Sequence, residues 1–262
     1  MPPVASFNDM VNRIGGNYFI NQPIYGEITA STTSNFFGTT SGIGQRVGNT
    51  PTLPALPAGV SAYIPLVVDL GNSAGGISSV LLCKAIDLGS FDIGAATTGV
   101  FTDGSAMPTA TIMNTASTSY ASAVLVEVTT QLAGTQTAIT ITYTNQDGTG
   151  GQTTSAVTPT TGATVRSTGF VNLGGTDWGV RDITAVSRVS SSGPTGVLRF
   201  WGIIPISLSF NSQVTSGIAV ENLLTSGVNL VRLGGSDVLR TFLFGDNTAK
   251  NVLGNVYILG DS

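Results

Sequence analysis

Ala121-Ser122-Ala123-Val124-Leu125-Val126-Glu127-Val128-Thr129-Thr130-Gln131, followed closely by Thr137-Ala138-Ile139-Thr140-Ile141-Thr142-Tyr143-Thr144, decides the fold class of this chain. In the first run Val124, Val126 and Val128 alternate with Leu125 and Glu127. In the second, Ile139, Ile141 and Tyr143 alternate with Thr140 and Thr142. Successive side chains of a strand point to opposite faces, so a period of two in β-branched residues predicts two strands, and the short gap between them predicts a hairpin. Asn145-Gln146-Asp147-Gly148 then supplies turn residues that lead into a further strand, Gln152 to Val157.

The same pattern extends outward in both directions. Val60 to Leu70 and Ile77 to Leu88 read as strands, parted by the loop Gly71-Asn72-Ser73-Ala74-Gly75-Gly76. Thr164 to Asn172, Arg181 to Ser190, Val197 to Phe210, Asp237 to Phe244 and Gly254 to Leu259 follow, with a short helix expected over Ile218 to Leu224. Residues 89–119, rich in turn signals such as Asp103-Gly104 and Pro108, read as a long surface excursion. Neither a strand–helix–strand alternation nor an internal repeat is visible, which argues against a parallel nucleotide-binding sheet and against propellers or solenoids. The expectation is an all-β fold: a β-sandwich or jelly-roll-like body over residues 60–262.

Residues 1–59 read differently. Ser6 can cap a short helix with Asp9 three residues on, and Phe7, Met10, Val11 and Ile14 recur at helical spacing until Gly15-Gly16. About two turns of helix are too short to persist in water unless one side is docked. From Asn17 to Gly59 periodicity is weak, and Tyr18, Phe19, Tyr25, Phe36 and Phe37 stand among Gly, Ser, Thr and Asn. Such a stretch reads as an extended arm. Its aromatic residues, together with Phe7, Met10 and Val11, are candidate anchors on a neighbouring subunit; the alternative is that they cover the chain's own core.

Composition narrows the function. Charged residues make up 9% of the 262 residues and apolar ones 41%, and mean hydropathy is +0.31. Soluble domains carry roughly 25% charge. Yet the richest apolar stretches, Ala62 to Leu70 and Phe200 to Phe210, are interrupted by proline and fall well short of the ~20 residues a spanning helix needs. Pro2, Pro3, Asn8 and Asp9 occupy the place of a signal peptide, so neither a membrane nor an export route is expected. Hydroxyl side chains replace the missing charge, a surface cheap to desolvate and suited to standing contact with other proteins. A net charge of −4 argues against nucleic acid as a partner. Arg166, Arg181, Arg188, Arg199, Arg232, Arg240 and Lys250 crowd the second half; they are either spaced surface arginines or one face that docks on an acidic partner. Cys83, the one cysteine, sits in Val80-Leu81-Leu82-Cys83 and reads as a buried thiol.

The chain has no histidine, which excludes Ser-His-Asp and Cys-His catalysis and His-ligated zinc. Paired carboxylates are the remaining route to catalysis. Glu27, Glu127 and Glu221 are the only glutamates, and Asp103, Asp147 and Asp246 sit beside Gly or Asn, with Asp177 two residues after Gly175, where aspartate serves turns. Gly42-Ile43-Gly44-Gln45-Arg46-Val47-Gly48 lacks the spacing of a phosphate loop and reads as an ordinary loop. Asn145 to Gly148 lacks the remaining ligands of a calcium loop and reads as a turn. Arg199-Phe200-Trp201-Gly202 reads as a strand end packed in the core, with a cation–π or sugar-stacking patch as the alternative. No catalytic residue, metal site or cofactor is expected.

Thr140-Ile141-Thr142-Tyr143-Thr144-Asn145-Gln146-Asp147-Gly148-Thr149, with the opening Phe7-Asn8-Asp9-Met10-Val11-Asn12-Arg13-Ile14, the segment Trp178-Gly179-Val180-Arg181-Asp182-Ile183 and the closing Asn255-Val256-Tyr257-Ile258-Leu259, resembles virion structural proteins of tailed bacteriophages. The resemblance covers scattered pieces amounting to about half the chain and leaves residues 89–119 unmatched. It implies a head decoration or cement protein, commonly a homotrimer, made in the bacterial cytoplasm and bound to the lattice of the major capsid protein. The alternatives are a tail, collar or vertex component and a receptor- or glycan-binding virion module. Arg199 and Trp201 join the arm residues as candidate interface positions.

Overall fold

The computed structural model of the chain describes residues 19–28, 43–46, 52–56, 58–72, 78–94, 98–100, 123–189, 193–211, 217–222, 231, 233–235, 237–245 and 250–261. These residues form fourteen strands and, among them, no helix: β1 (Phe19–Ile28), β2 (Ile43–Arg46), β3 (Ala62–Asn72), β4 (Ser78–Asp92), β5 (Thr98–Val100), β6 (Ala123–Ala133), β7 (Ile139–Asn145), β8 (Gln152–Thr153), β9 (Ser167–Val171), β10 (Val180–Arg188), β11 (Thr195–Asn211), β12 (Gly217–Asn222), β13 (Val238–Gly245) and β14 (Lys250–Asp261). The fold is all-β and built from antiparallel sheets, as the alternation requires and as a sandwich body would have it. The helix expected from Phe7 to Ile14 lies outside the described residues.

Six strands close into a barrel in the order β11-β4-β13-β2-β9-β6; β1-β14-β3-β12 and β5-β10-β7-β8 are four-stranded sheets. Long strands tie the parts together. β4 and β11 pair from Ser78↔Asn211 to Asp92↔Val197, a ribbon about 50 Å long at 3.3 Å per residue. One end of its outer face, through Val80, Leu82, Ile204 and Ile206, packs with Tyr63, Val252, Val256 and Ile258 of the first sheet. The other end, through Leu88, Phe91, Leu198 and Phe200, packs with Ile139, Ile141, Tyr143, Ile183 and Val186 of the second. The inner face contributes Leu81, Cys83, Ala85, Trp201 and Ile203 to a third cluster with Leu125 and Phe242, which fills the barrel. A bulge where Gly89 pairs with Phe200 and Asp87 with Trp201 lets Leu88 and Phe91, three apart, serve the same outer core. Gly89 has φ +111°, where side chains are strained, and its amide donates to Asp87 Oδ1 at 3.1 Å.

Several expectations change. The surface excursion read over 89–119 begins inside β4, which runs to Asp92 with Phe91 in the core, and 98–100 form β5 on the edge of β10. β6 and β7 are strands, but they do not form a hairpin: β6 pairs with β11 and β9, and β7 with β10 and β8. Their burial explains the separation. Val124 to Val128 are buried on both faces, as befits a barrel stave between two cores, whereas β7 alternates between buried and half-buried. Of residues 218–224, expected as helix, 218–222 belong to β12 and the rest lie outside the described residues. β12 pairs Ile218↔Gly71 and Val220↔Asp69 with β3, and β-branched residues gain more from a pleated neighbour than from a helix. Gly42 to Gly48, read as a loop, contains the barrel stave β2, whose Gly44 pairs with Phe244 on one side and Thr168 on the other.

The stretch read as an irregular arm therefore supplies two strands. β1 pairs with β14 over its whole length, from Phe19↔Leu259 to Ile28↔Lys250. Weak side-chain periodicity hid it, because pairing uses the backbone that every residue has.

Candidate functional site

The turn and the loop that carry the resemblance lie against each other. Asn145 Oδ1 accepts the amides of Asp147 (3.1 Å) and Thr149 (2.9 Å), the local bonding that makes asparagine a turn residue. Gln146 Oε1 accepts the amides of Trp178 and Gly179, both at 3.2 Å, and its carbonyl accepts Arg181 Nε at 2.9 Å. Asp177 accepts Tyr143 Oη at 2.8 Å and Asn145 Nδ2 at 3.0 Å. Gly148 has φ +85°, and a Cβ there would stand 2.9 Å from Arg181 Nη1. The side-chain oxygens of Asn145, Gln146 and Asp177 are thus engaged in fastening one turn, which makes this a structural joint.

A different cluster gathers charge. On the inner face of the barrel, Glu127 Oε1 accepts Arg46 Nε at 2.7 Å and Glu127 Oε2 accepts Trp201 Nε1 at 2.8 Å, with the glutamate 2% exposed and Trp201 3%. A buried carboxylate survives only when its oxygens are bonded, and here each oxygen has a donor. Arg199 donates to Asp87 through Nε at 2.9 Å and again through Nη2. That contact raises the Arg199 pKa above the ordinary guanidinium value.

Arg240 completes the group in a different way. Its guanidinium carbon lies 4.3 Å from the centre of the Trp201 ring, and that of Arg199 lies 4.9 Å from it. Both contacts are of cation–π length. Nε of Arg240 is buried and has no hydrogen-bond partner. Burial, together with the like charge of Arg46, pushes the Arg240 pKa down to about 10, against the opposing pull of Glu127. Among the described residues three guanidinium groups therefore meet two carboxylates, an excess of one positive charge (3 − 2). Register explains the meeting: Arg199 pairs with Glu127, Glu127 with Thr168, and Arg240 with Cys83, so all point to the same side of the wall.

Toward the rest of the barrel the lining is apolar. Phe170 and Phe244 stack with ring centres 5.1 Å apart, on strands separated by β2, whose Gly44 offers no side chain to part them. Cys83 is wholly buried, as its sequence neighbours implied, and burial drives its thiol pKa far above the ordinary range. Among the described residues no group of three or more His, Cys, Asp or Glu side chains could hold a metal.

Of the candidate interface residues, Phe7, Met10, Val11, Tyr18, Phe36 and Phe37 lie outside the described residues. Phe19 and Tyr25 are on β1, opposite Leu259 and Leu253. Trp201 is packed in the barrel core, in the middle of β11 and not at a strand end, with the cation–π contacts offered as its alternative also present; Arg199 stands at the rim, its side chain 42% exposed. Residues the sequence left without a role are Arg46, Asp87, Glu127 and Arg240. Glu127 gave a signal as a lone carboxylate inside an apolar strand run and Arg240 only as one of the arginines crowding the second half; Arg46 and Asp87 gave none, and the cluster converges from separate strands. Among the described residues the exposed large apolar side chains are Trp178, Val189, Val165, Leu208 and, in the barrel lining, Phe170.

No family model matches the chain, and no curated protein sequence matches it. Solved structures that align with it include a mutant VP2 protein of infectious bursal disease virus from derived T=1 particles, at 9% identity and TM-score 0.23, over 94% of this chain and 78% of that one. The Gx strain of the same virus aligns at 9% identity and TM-score 0.21, over 94% and 81%. The VP2 subviral particle of that virus aligns at 8% identity and TM-score 0.22, over 93% and 81%. Scores of this size establish neither a shared fold nor a shared function.

Proposed function

We propose that the chain is a virion structural protein, a head decoration or cement protein of a tailed bacteriophage that stabilises the shell by bridging its subunits. The observation that carries this reading is the use made of the charged side chains. Asp87, Glu127, Asp177 and Asp237 each bond a cation, a ring N–H, a hydroxyl or an amide of the chain itself. With no histidine in the sequence, that leaves a body held together by its polar groups and coated in hydroxyls. Trp178 and Val189, 57% and 83% exposed, supply apolar contact points of the kind that adhesion uses. A protein that bridges several shell subunits adds contact area at each joint, so that separating them costs more. The lattice partner is then the major capsid protein, the chain acts as a homo-oligomer with a trimer favoured, and no cofactor takes part.

The test mixes the purified chain with expanded, tailless heads and separates bound from free by sedimentation. Saturable co-sedimentation at a fixed ratio to the shell protein is expected, with weaker binding for a chain lacking residues 1–18, which hold the candidate anchors ahead of β1. A chain that stays in the supernatant contradicts the cement reading, and full binding by the truncated chain contradicts the arm's part in it. Exposed Trp178 favours one second reading, a glycan-binding module. On that reading Trp178→Ala abolishes cell attachment while leaving head binding absent throughout.

A further inference from the structure

We propose that the charged end of the barrel is a binding site for one external carboxylate, held by Arg240 beside the Trp201 ring. The site is assigned from its own chemistry and holds whether or not the chain belongs to a shell. Arg46 and Arg199 have Glu127 and Asp87 as counter-charges, whereas no hydrogen bond or ion pair joins the Arg240 guanidinium to a described residue. A half-buried guanidinium presents planar paired donors that fit a carboxylate through two parallel bonds. Leaving a buried donor unbonded is costly. Thr168, which pairs with Glu127 on the same inner face, has a buried hydroxyl likewise without a partner and gives the lining another donor. The excess of one positive charge is neutralised by a monovalent carboxylate, while a doubly charged phosphate would reverse it. Access is from the rim, where Arg199 and Asp87 side chains are 42% and 38% exposed.

Such a carboxylate has two sources, an acidic side chain of another polypeptide or a small free acid, and Trp201 reports on both. The sequence has two tryptophans, so Trp178→Phe leaves Trp201 as the sole indole emitter. This protein is titrated with sodium acetate, with the peptide acetyl-Gly-Glu-Gly-amide, and with its Gln counterpart, each against sodium chloride at equal ionic strength. A saturable change in Trp201 emission is expected with the carboxylates alone, accompanied by a rise in melting temperature. Both responses should weaken about tenfold or more in Arg240→Gln. Binding of acetate and Glu peptide together marks a site open to an acidic side chain; binding of acetate alone assigns it to a small free acid. An equal response to chloride, an unaltered response in Arg240→Gln, or no response to either carboxylate overturns the proposal. Arg240→Lys, which keeps the charge and loses the fork, provides the same test in a fold-preserving variant and should also bind more weakly.

Discussion

Glu127→Ala is expected to lower the unfolding free energy by about 3–5 kcal/mol, the usual consequence of removing one member of a buried charge pair. The variant strands Arg46 Nε and Trp201 Nε1, whose acceptors are the two Glu127 oxygens at 2.7 and 2.8 Å. It also leaves Arg46, Arg199 and Arg240 facing Asp87 alone, so the excess positive charge rises from one to two. Glu127→Gln separates the contributions, because an amide oxygen can still accept from one donor while the charge is gone; it should fall between the parent and Glu127→Ala. Chemical denaturation followed by far-ultraviolet circular dichroism measures both. A Glu127→Ala protein within about 1 kcal/mol of the parent would mean that the cluster contributes no more than an exposed ion pair does.

Lys84→Met is expected to be nearly as damaging, at about 3 kcal/mol, the lower end for a broken buried pair because Asp237 keeps some access to water. Lys84, 4% exposed, meets Asp237 Oδ2 at 2.6 Å, and the same oxygen accepts the Gly234 amide at 2.6 Å. The pair thus fastens β4 to the turn ahead of β13. Adding Asp237→Asn to Lys84→Met should restore much of the loss, since the amide neutralises the abandoned charge and still offers an acceptor to Gly234. A double-mutant cycle reads this coupling directly. Strict additivity of the two substitutions would show that the pair does not act as a unit.

The strands were legible because their signal is local. β3, β4, β6, β7, β10, β11 and β13 fall within a few residues of the runs read from alternation, since side chains at i and i+2 share a face whatever the strand pairs with. Pairing was not legible. Val124 to Val128 and Ile139 to Tyr143 look like the two arms of a hairpin, yet they belong to a barrel and to a flanking sheet; alternation records which face is buried and not which strand lies beside it. β1 and β2 were hidden for the opposite reason, being held by backbone bonds among Gly, Asn, Gln and Pro. The charged cluster was the least legible part. Arg46, Asp87, Glu127, Arg199 and Arg240 are on five different strands, and only closure of the barrel brings them together. The crowding of arginines after Val165 was visible, and Arg199 stood out beside Trp201, but nothing in the sequence separated Arg240, which also meets Trp201, from Arg181, which fastens a turn.

Reconstruction of purified virions by electron cryo-microscopy tests the adhesive role of this chain most directly. A six-stranded barrel flanked by two four-stranded sheets should recur at regular lattice positions, each copy touching more than one shell subunit. Mature particles with a complete shell and no such density, and the chain recovered as a free monomer, would contradict it.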